Sequence, residues 1–154
     1  MSAWTARLPW VLSLAFATAF ATAFAGAADP ADIGQIKIAK GRVSIERNGR
    51  TLPAEVGSSL QPGDVLTTGA DGSVGVTMSD NSLLSAGPNS VLALDRYEFD
   101  TTTSQGQFDA SLRKGSLAVI SGRIAKQSPE SMTVRTPSTI LGVRGTEFAV
   151  AAND

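Results

Sequence analysis

In the segment TILGVRGTEFAV, residues 139–150, one arginine stands between glycines in an otherwise apolar run. The guanidinium of Arg144 has five donors, enough to bind an anionic ligand or to tie a carboxylate to several backbone carbonyls. Gly142 and Gly145 permit a bend or the close approach of another strand. The second cation that an anion site usually adds is missing here, so we favour a structural role in which Arg144 pins a backbone bend. The candidate partners are Asp64, Asp80 and Glu147.

The segment LDRYEFD concentrates carboxylates that glycoside hydrolysis would need. Glycosidases place two acids at a defined separation across the sugar bond, and Asp95, Glu98 and Asp100 are the candidate acids. Both tryptophans lie in the first ten residues, so the rest of the chain has no indole ring to stack against a sugar in a binding cleft. The alternation of these acids with Arg96 favours a solvated strand face instead.

The segment SDNSLLSAGPNS is rich in side-chain oxygens that bind Ca²⁺. Its candidates are Asp80, Asn81, Ser82 and Asn89. An EF-hand loop needs acids at fixed alternating positions, with a central glycine and a terminal glutamate, and that pattern is absent. Asx and serine side chains also cap tight turns. We therefore favour the turn interpretation and predict neither a metal nor a cofactor.

Absences from the composition restrict the chemistry further. The 154 residues contain no cysteine and no histidine. Ser-His-Asp triads, Cys-His pairs, disulfides and histidine-bound zinc are thereby excluded. The formal net charge of −1, without clustered Lys and Arg, also argues against nucleic-acid binding. We therefore predict one domain that is not an enzyme.

The first 27 residues have the layout of a secretory signal. Arg7 precedes a long uncharged, apolar run, and Ala25 and Ala27 form a small-residue cleavage motif. The alternative is a retained membrane anchor, since the apolar run approaches the roughly 20 residues that span a bilayer. We favour cleavage after Ala27, export to the periplasm or medium, and no membrane insertion of the cleaved chain.

The remaining chain is patterned as short strands separated by turns. IGQIKIAK places Ile36 and Ile38 on one face of a strand, and RVSIER repeats this period of two. Asn48-Gly49 is the commonest two-residue hairpin signal. SVLALDRYEF predicts the longest strand, and residues 100–107 predict a loop. FDASLRKGSLAVISGRIAK, residues 108–126, is also interpreted as strand.

These patterns predict an all-β, single compact domain of short antiparallel strands, either a sandwich or a short β-solenoid. The solenoid hypothesis rests on a repeated turn-strand motif in GADGSVGV, GPNSVLAL and GSLAV. Stacked coils would repeat in this way. The spacing is irregular, so we favour an ordinary antiparallel β domain over the solenoid.

The chain resembles the FecR domain family of bacterial envelope proteins over about residues 41–150. The resemblance is carried by four blocks in order: GRVSIERNG, GSSLQPGDVLTTGADGSVGVTMSDNSLLSAGPNSVLAL, LRKGSLAVISG and VRTPSTILGVRGTEFAV. TPSTILGVRGTEF is the most diagnostic part. The family-motif residues are Gly63, Asp64, Asp80, Gly142, Arg144, Gly145 and Thr146.

The resemblance implies an all-β periplasmic domain. In iron-uptake regulators, that domain helps to carry a signal from an outer-membrane receptor to a cytoplasmic sigma factor. This sequence differs from those regulators at both ends, so we expect a freestanding exported module. We predict a signal at 1–27, an entry segment with the first strand at 28–40, the FecR-like domain at 41–150 and a tail at 151–154.

Three hypotheses for function follow. The first is a non-catalytic binding or scaffolding module that recognises an envelope protein of unknown identity. Its candidate contact surfaces are the Asn48-Gly49 hairpin and the loop at 100–107, because loops on rigid strands often bind partners. The alternative is a carbohydrate- or peptidoglycan-binding protein, with or without hydrolytic activity, that uses Asp95 and Glu98. The third is self-association through sheet edges.

Overall fold

The computed structural model describes residues 31–143 and 147–153, and these residues form an all-β domain, as predicted. The strands are β1 (Gly34–Lys40), β2 (Val43–Arg47), β3 (Arg50–Pro53), β4 (Ser59–Leu60), β5 (Val65–Thr68), β6 (Ser73–Met78), β7 (Leu83–Ala86), β8 (Val91–Phe99), β9 (Gly106–Ile120), β10 (Met132–Arg135), β11 (Ile140–Gly142) and β12 (Glu147–Ala152). A short helix, α1 (Arg123–Gln127), and a 3₁₀ turn, Pro129–Ser131, follow β9. No helix of the described residues combines the length and apolar character that a bilayer crossing requires.

The strands form one curled sheet, a half-barrel, whose main path is β3-β2-β5-β8-β9-β7-β6-β1-β4. The long strand β9 lies at the centre of this path and joins its two halves. Its N-terminal part pairs with β8 and β10, and its C-terminal part pairs with β7 and β12. We call the unit of β4, β1, β6, β7, the C-terminal part of β9 and β12 half-sheet A. Half-sheet B contains β3, β2, β5, β8, the N-terminal part of β9, β10 and β11.

Antiparallel pairing excludes the β-solenoid, which is one of the two predicted architectures. Among the described strands, only β10 and β9 pair in parallel. Stacked solenoid coils would place successive strands parallel to one another. The turn-strand repeats in the sequence therefore mark ordinary junctions of an antiparallel sheet.

The inward faces of both half-sheets share one hydrophobic core. Strict alternation in β6 buries Val74, Val76 and Met78, while the residues between them stay half-exposed. Near the centre, the rings of Tyr97 and Phe108 pack edge to face, with centroids 5.3 Å apart. Such a pair stabilises by roughly 0.5–1.5 kcal/mol beyond its burial. Apolar burial across both halves keeps the sheet curled around a common interior.

The predicted hairpin at Asn48-Gly49 is confirmed. The two residues have φ angles of 52° and 74°, and the pairing of Arg47 with Arg50 leaves them as a two-residue loop between β2 and β3. Positive φ at both positions is the requirement of a type I′ turn. β3 pairs only with β2 among the described strands, so Pro53 lies on an edge strand, where proline is tolerated because it has no N–H to donate.

The prediction that Ile36 and Ile38 share a buried face is wrong. Ile36 is fully buried, whereas Ile38 is 53% exposed. The pairing of β1 with β6 shifts register between these two residues. A bulge adds one residue and turns the following side chains to the opposite face. Ala39 then packs against the core in place of Ile38.

The strand predicted for residues 108–126 is correct for β9 but wrong at its end, where α1 begins. The backbone N–H of Arg123 donates to the Asp80 carbonyl at 2.8 Å. The N–H of Ile124 donates to the Asp80 carboxylate at 3.2 Å. Both groups belong to the first turn of the helix, where N–H groups lack intrahelical partners. A residue remote in sequence supplies these acceptors, so no local pattern indicates the helix.

Candidate functional site

The outer face of half-sheet A carries an apolar groove of about 240 Å³. Strands β1, β6, β7, β9 and β12 all contribute to it. The exposed and half-exposed residues that line it are Lys37, Ile38, Gly75, Thr77, Leu83, Ser85, Ala118, Ile120 and Glu147. We call the outward-facing residues of these five strands the apolar face.

Large aliphatic side chains are exposed on this face. Ile38, Leu83 and Ile120 are 53%, 42% and 42% exposed. The other exposed large hydrophobic residues of the described chain are Val56 and Ile140. Scattered single hydrophobic residues on a surface need no explanation, but a cluster in one groove marks an interaction site. The groove is therefore the strongest candidate for a binding surface.

Small residues form the floor beside these aliphatic side chains. Gly75, Ser85, Ala118 and Ala149 follow one another in register across β6, β7, β9 and β12. Beyond Ser85 and Ala118, a second groove of about 480 Å³ extends the floor over Gly87, Ser116 and Ala151. With so few side-chain atoms on the floor, a second protein layer can approach the backbone closely.

The two ends of the groove carry opposite charges. Lys37 lies on β1, and Glu147 lies on β12 at the far side of half-sheet A. The Lys37 ammonium donates a hydrogen bond to the side chain of Gln35. Charges at the rim of an apolar surface orient a partner more than they strengthen its binding.

The family-motif residue Asp64 serves as a structural anchor. Its carboxylate accepts two hydrogen bonds from Arg47, from Nε at 2.8 Å and from Nη2 at 2.7 Å. The N–H of Gln61 donates a third at 2.9 Å. Arg47 Nη2 also reaches the Ser59 carbonyl at 3.0 Å. The hydrogen bond to Asp64 raises the pKa of Arg47. Together these contacts form a clamp that holds the end of β2 against the β4-β5 turn.

We expect Arg47→Ala to lower the free energy of unfolding by about 2–3 kcal/mol, because it leaves a buried carboxylate without its cation. The Asp64 side chain is only 1% exposed. Arg47→Lys keeps the positive charge but loses the bidentate hydrogen bond to Asp64, so we expect a smaller loss of unfolding free energy than for Arg47→Ala. Urea unfolding of both variants and of a R47A/D64A double variant measures the coupling. Equal losses for alanine and lysine would contradict the charge argument.

The second buried carboxylate, Asp80, is the centre of a hydrogen-bond network at the turn between β6 and β7. It accepts from the hydroxyl of Tyr97 at 3.0 Å and from the hydroxyl of Ser82 at 2.7 Å. The Tyr97 oxygen in turn accepts from the Asp80 backbone N–H at 2.8 Å. The Ser82 hydroxyl also accepts from the N–H of Gly122 at 2.9 Å. The network ties the turn to β8 and to the start of α1.

The environment of Tyr97 predicts that the free energy of unfolding decreases at alkaline pH. Burial, reinforced by the Asp80 carboxylate, raises the pKa of Tyr97 far above its ordinary value. The native state therefore keeps a proton that the unfolded chain releases near pH 10, so this contribution is complete below pH ~10 and declines above it. The expected decline approaches about 1.4 kcal/mol per pH unit.

Urea unfolding between pH 9 and pH 12 measures this decline, and Tyr97→Phe is the control that should lack it. Tyr97 is the chain's only tyrosine, so absorbance at 295 nm follows its ionisation directly. An ordinary tyrosine titration curve in the native protein would contradict the prediction.

The acids of the proposed hydrolytic site have partners of their own. The Ser111 hydroxyl donates to Asp95, and Arg96 Nη2 donates to Glu98 at 3.2 Å on an exposed face. The N–H groups of Thr102 and Thr103 lower the pKa of Asp100, whereas a catalytic acid needs a raised one. Among the described aromatic residues, Tyr97 and Phe108 are buried, and Phe99 and Phe148 are partly buried against the core, so none is fully open to stack on a sugar. The geometry does not favour the carbohydrate hypothesis.

The remaining predicted residues are spread over the molecule. Gly63 lies in the turn before β5, where its N–H donates to the Leu94 carbonyl at 2.7 Å. Asn48 and Gly49 form the hairpin turn that follows Arg47. Gly142 ends β11 and is exposed. Their roles as motif or contact residues stay predictions. The family-motif residues Arg144, Gly145 and Thr146, and with them the predicted role of Arg144 at a backbone bend, lie outside the described residues.

The sequence interpretation missed the apolar face. Leu83 and Leu84 are adjacent in one strand, so one of them must point outward, and this signal was available. Ile38 gave no such signal, because the bulge before it decides its direction. Within residues 31–143 and 147–153, no group of three or more acidic residues is arranged to hold a metal ion.

Comparison with known proteins identifies the family. The family model described as FecR protein matches residues 64–154, more than half of the chain. The match begins at the buried Asp64 and includes Asp80, Leu83, Ile120 and the TPSTILGVRGTEF motif. Neither the curated proteins nor the solved structures contain a match to the chain. The matched segment supplies both buried carboxylates and four of the five strands of the apolar face, and the chain belongs to the FecR family.

Proposed function

We propose that this protein is an exported, non-catalytic binding module of the bacterial envelope, which acts in signalling or assembly by docking another protein on its apolar face. Membership of the FecR family supports a regulatory role in envelope signalling. The observation that carries the proposal is the cluster of Ile38, Leu83 and Ile120 around a floor of small residues. Exposed aliphatic surface of this kind is stabilised when a partner covers it.

Export is supported by the signal-like pattern of residues 1–27. We expect the cellular protein to begin at Ala28 and to fractionate with the periplasm or the medium. Mass spectrometry of the intact protein from fractionated cells tests this directly. A full-length chain that remains in the membrane fraction would contradict cleavage.

A charged side chain introduced on the floor of the groove tests docking. Ser85 is exposed, so Ser85→Arg should fold normally and prevent a second protein layer from approaching. Ser138 is an exposed serine between β10 and β11 on half-sheet B, so Ser138→Arg is the matched control. After crosslinking in living cells, the wild type and Ser138→Arg should yield the same adduct, and Ser85→Arg should lose it. An adduct that survives Ser85→Arg would contradict docking on this face.

A further inference from the structure

We propose that a second copy of this chain occupies the apolar face and forms a symmetric dimer. The apolar faces of the two copies stack on each other, and the twofold axis lies between them, parallel to β7. The inference deepens the proposed function and rests on it, because it names the partner of the same face. The order of the five strands is β1-β6-β7-β9-β12, with β7 at the centre. A twofold axis along β7 therefore stacks β1 on the partner's β12 and β6 on its β9.

The registers make the face complementary to itself under this rotation. One row across the strands reads Ile38, Gly75, Ser85, Ala118 and Ala149. Rotation places Ile38 over Ala149 and Gly75 over Ala118, so the large side chain meets a small one. In the neighbouring row, Thr77, Leu83 and Ile120 are in register. There Ile120 lies over Thr77, and Leu83 packs against its own copy on the axis.

The charges at the ends of the groove follow the same symmetry. Lys37 lies on β1 and Glu147 on β12, so rotation brings each Lys37 to the Glu147 of the other copy. Two ion pairs then close the two ends of an apolar interface. With the axis perpendicular to the sheet, the copies would meet only at an edge, and Ile38 and Leu83 would stay uncovered.

The size of the face predicts a weak, reversible dimer. Five strands about 4.8 Å apart, each with three outward positions about 6.8 Å apart, cover roughly 480 Å² per copy. A stable interface buries about 800 Å² per partner. We therefore expect association in the micromolar range or weaker, which increases with concentration.

Sedimentation velocity over a wide concentration range tests the proposal on the purified protein, with its N terminus verified by mass spectrometry. We expect the wild type and Ser138→Arg to show the same monomer–dimer equilibrium. Ser85→Arg should raise the dissociation constant by at least about 100-fold, because it buries two unpaired charges. Ile38→Ser should weaken the dimer, and Ile140→Ser is its control at an exposed position outside the groove. Unchanged thermal unfolding would establish that the variants are folded.

Charge reversal tests the symmetry itself. K37E and E147K should each weaken the dimer at low salt, since each creates two like-charged contacts. A mixture of the two variants should form a heterodimer, because both contacts are then between opposite charges. The K37E/E147K double variant should regain the homodimer. Failure of the mixture to associate would overturn the axis along β7.

Two further outcomes separate this inference from the proposed function. A wild type that remains monomeric at all concentrations, with a crosslinked envelope protein that Ser85→Arg abolishes, would overturn the dimer and support docking of a different protein. A monomer without any adduct that depends on Ser85 would overturn both proposals.

Discussion

Replacement of Asp80 by alanine is expected to lower the free energy of unfolding by about 3–5 kcal/mol. Asp80 is fully buried, and its carboxylate accepts hydrogen bonds from Tyr97, Ser82 and the N–H of Ile124. Alanine leaves all these donors buried without an acceptor, which is more costly than the loss of the bonds alone. The first turn of α1 should also become less ordered, because the N–H of Ile124 loses its acceptor, whereas the N–H of Arg123 keeps the backbone carbonyl of residue 80.

Chemical denaturation measures the effect, and faster hydrogen exchange at Ile124 than at Arg123, whose backbone acceptor remains, locates it. Tyr97→Phe is the graded comparison, because it removes one hydroxyl from the network and should lose about 1–2 kcal/mol. Asp80→Asn keeps the size but presents N–H groups to donors, so we expect a loss between the other two. If Asp80→Ala were no less stable than Tyr97→Phe, the carboxylate would not be the centre of the network.

Gly115→Ala is expected to destabilise the protein by about 3 kcal/mol or more, or to prevent folding. Gly115 lies in β9 where the strand passes from half-sheet B to half-sheet A. Its φ is +93°, and a Cβ there would lie 2.5 Å from the Cα of Ser90 and 2.1 Å from its hydroxyl oxygen. The backbone of Ser90 cannot yield without displacing β8. The same hydroxyl also accepts from the N–H of Ser116 at 3.1 Å, so that bond would be lost as well.

Gly49→Ala separates the two causes of this effect. Gly49 also has positive φ, +74°, but nothing lies within 4 Å of a Cβ built on it. Its loss should be about 1 kcal/mol, the effect of the backbone conformation alone. The excess loss in Gly115→Ala therefore measures the close approach of Ser90. Equal losses at the two glycines would show that β9 can move away from Ser90.

Local patterns were sufficient for most of the elements. The Asn48-Gly49 turn and the strand β8 each depend on neighbours in sequence, and both were predicted correctly. The prediction that β8 is the longest strand is wrong, because β9 has 15 residues and β8 has 9. Family membership was also visible in the sequence, because the FecR blocks are ordered motifs. These features share one physical basis: backbone preference and period-two burial act over a few residues.

The chemistry of the individual polar residues was less predictable. Asp64 is bound by Arg47, 17 positions away, and no local pattern indicates this pairing. Asp80 was assigned to a turn, which is correct, but its partners on β8 and at α1 lie 17 and 44 positions away. Strand order decides such pairings, and strand order depends on packing of the whole chain.

The sequence by itself determined that this protein is an all-β FecR-family domain without histidine or cysteine chemistry. Only the tertiary structure decided where its apolar face lies. Ile38, Leu83 and Ile120 are distant in sequence, and no local window shows that the three side chains share one outer face. A bulge in β1 and the order of strands in half-sheet A turn them to one outer face. The direction of a side chain depends on the register of its strand, and pairing with distant strands sets that register.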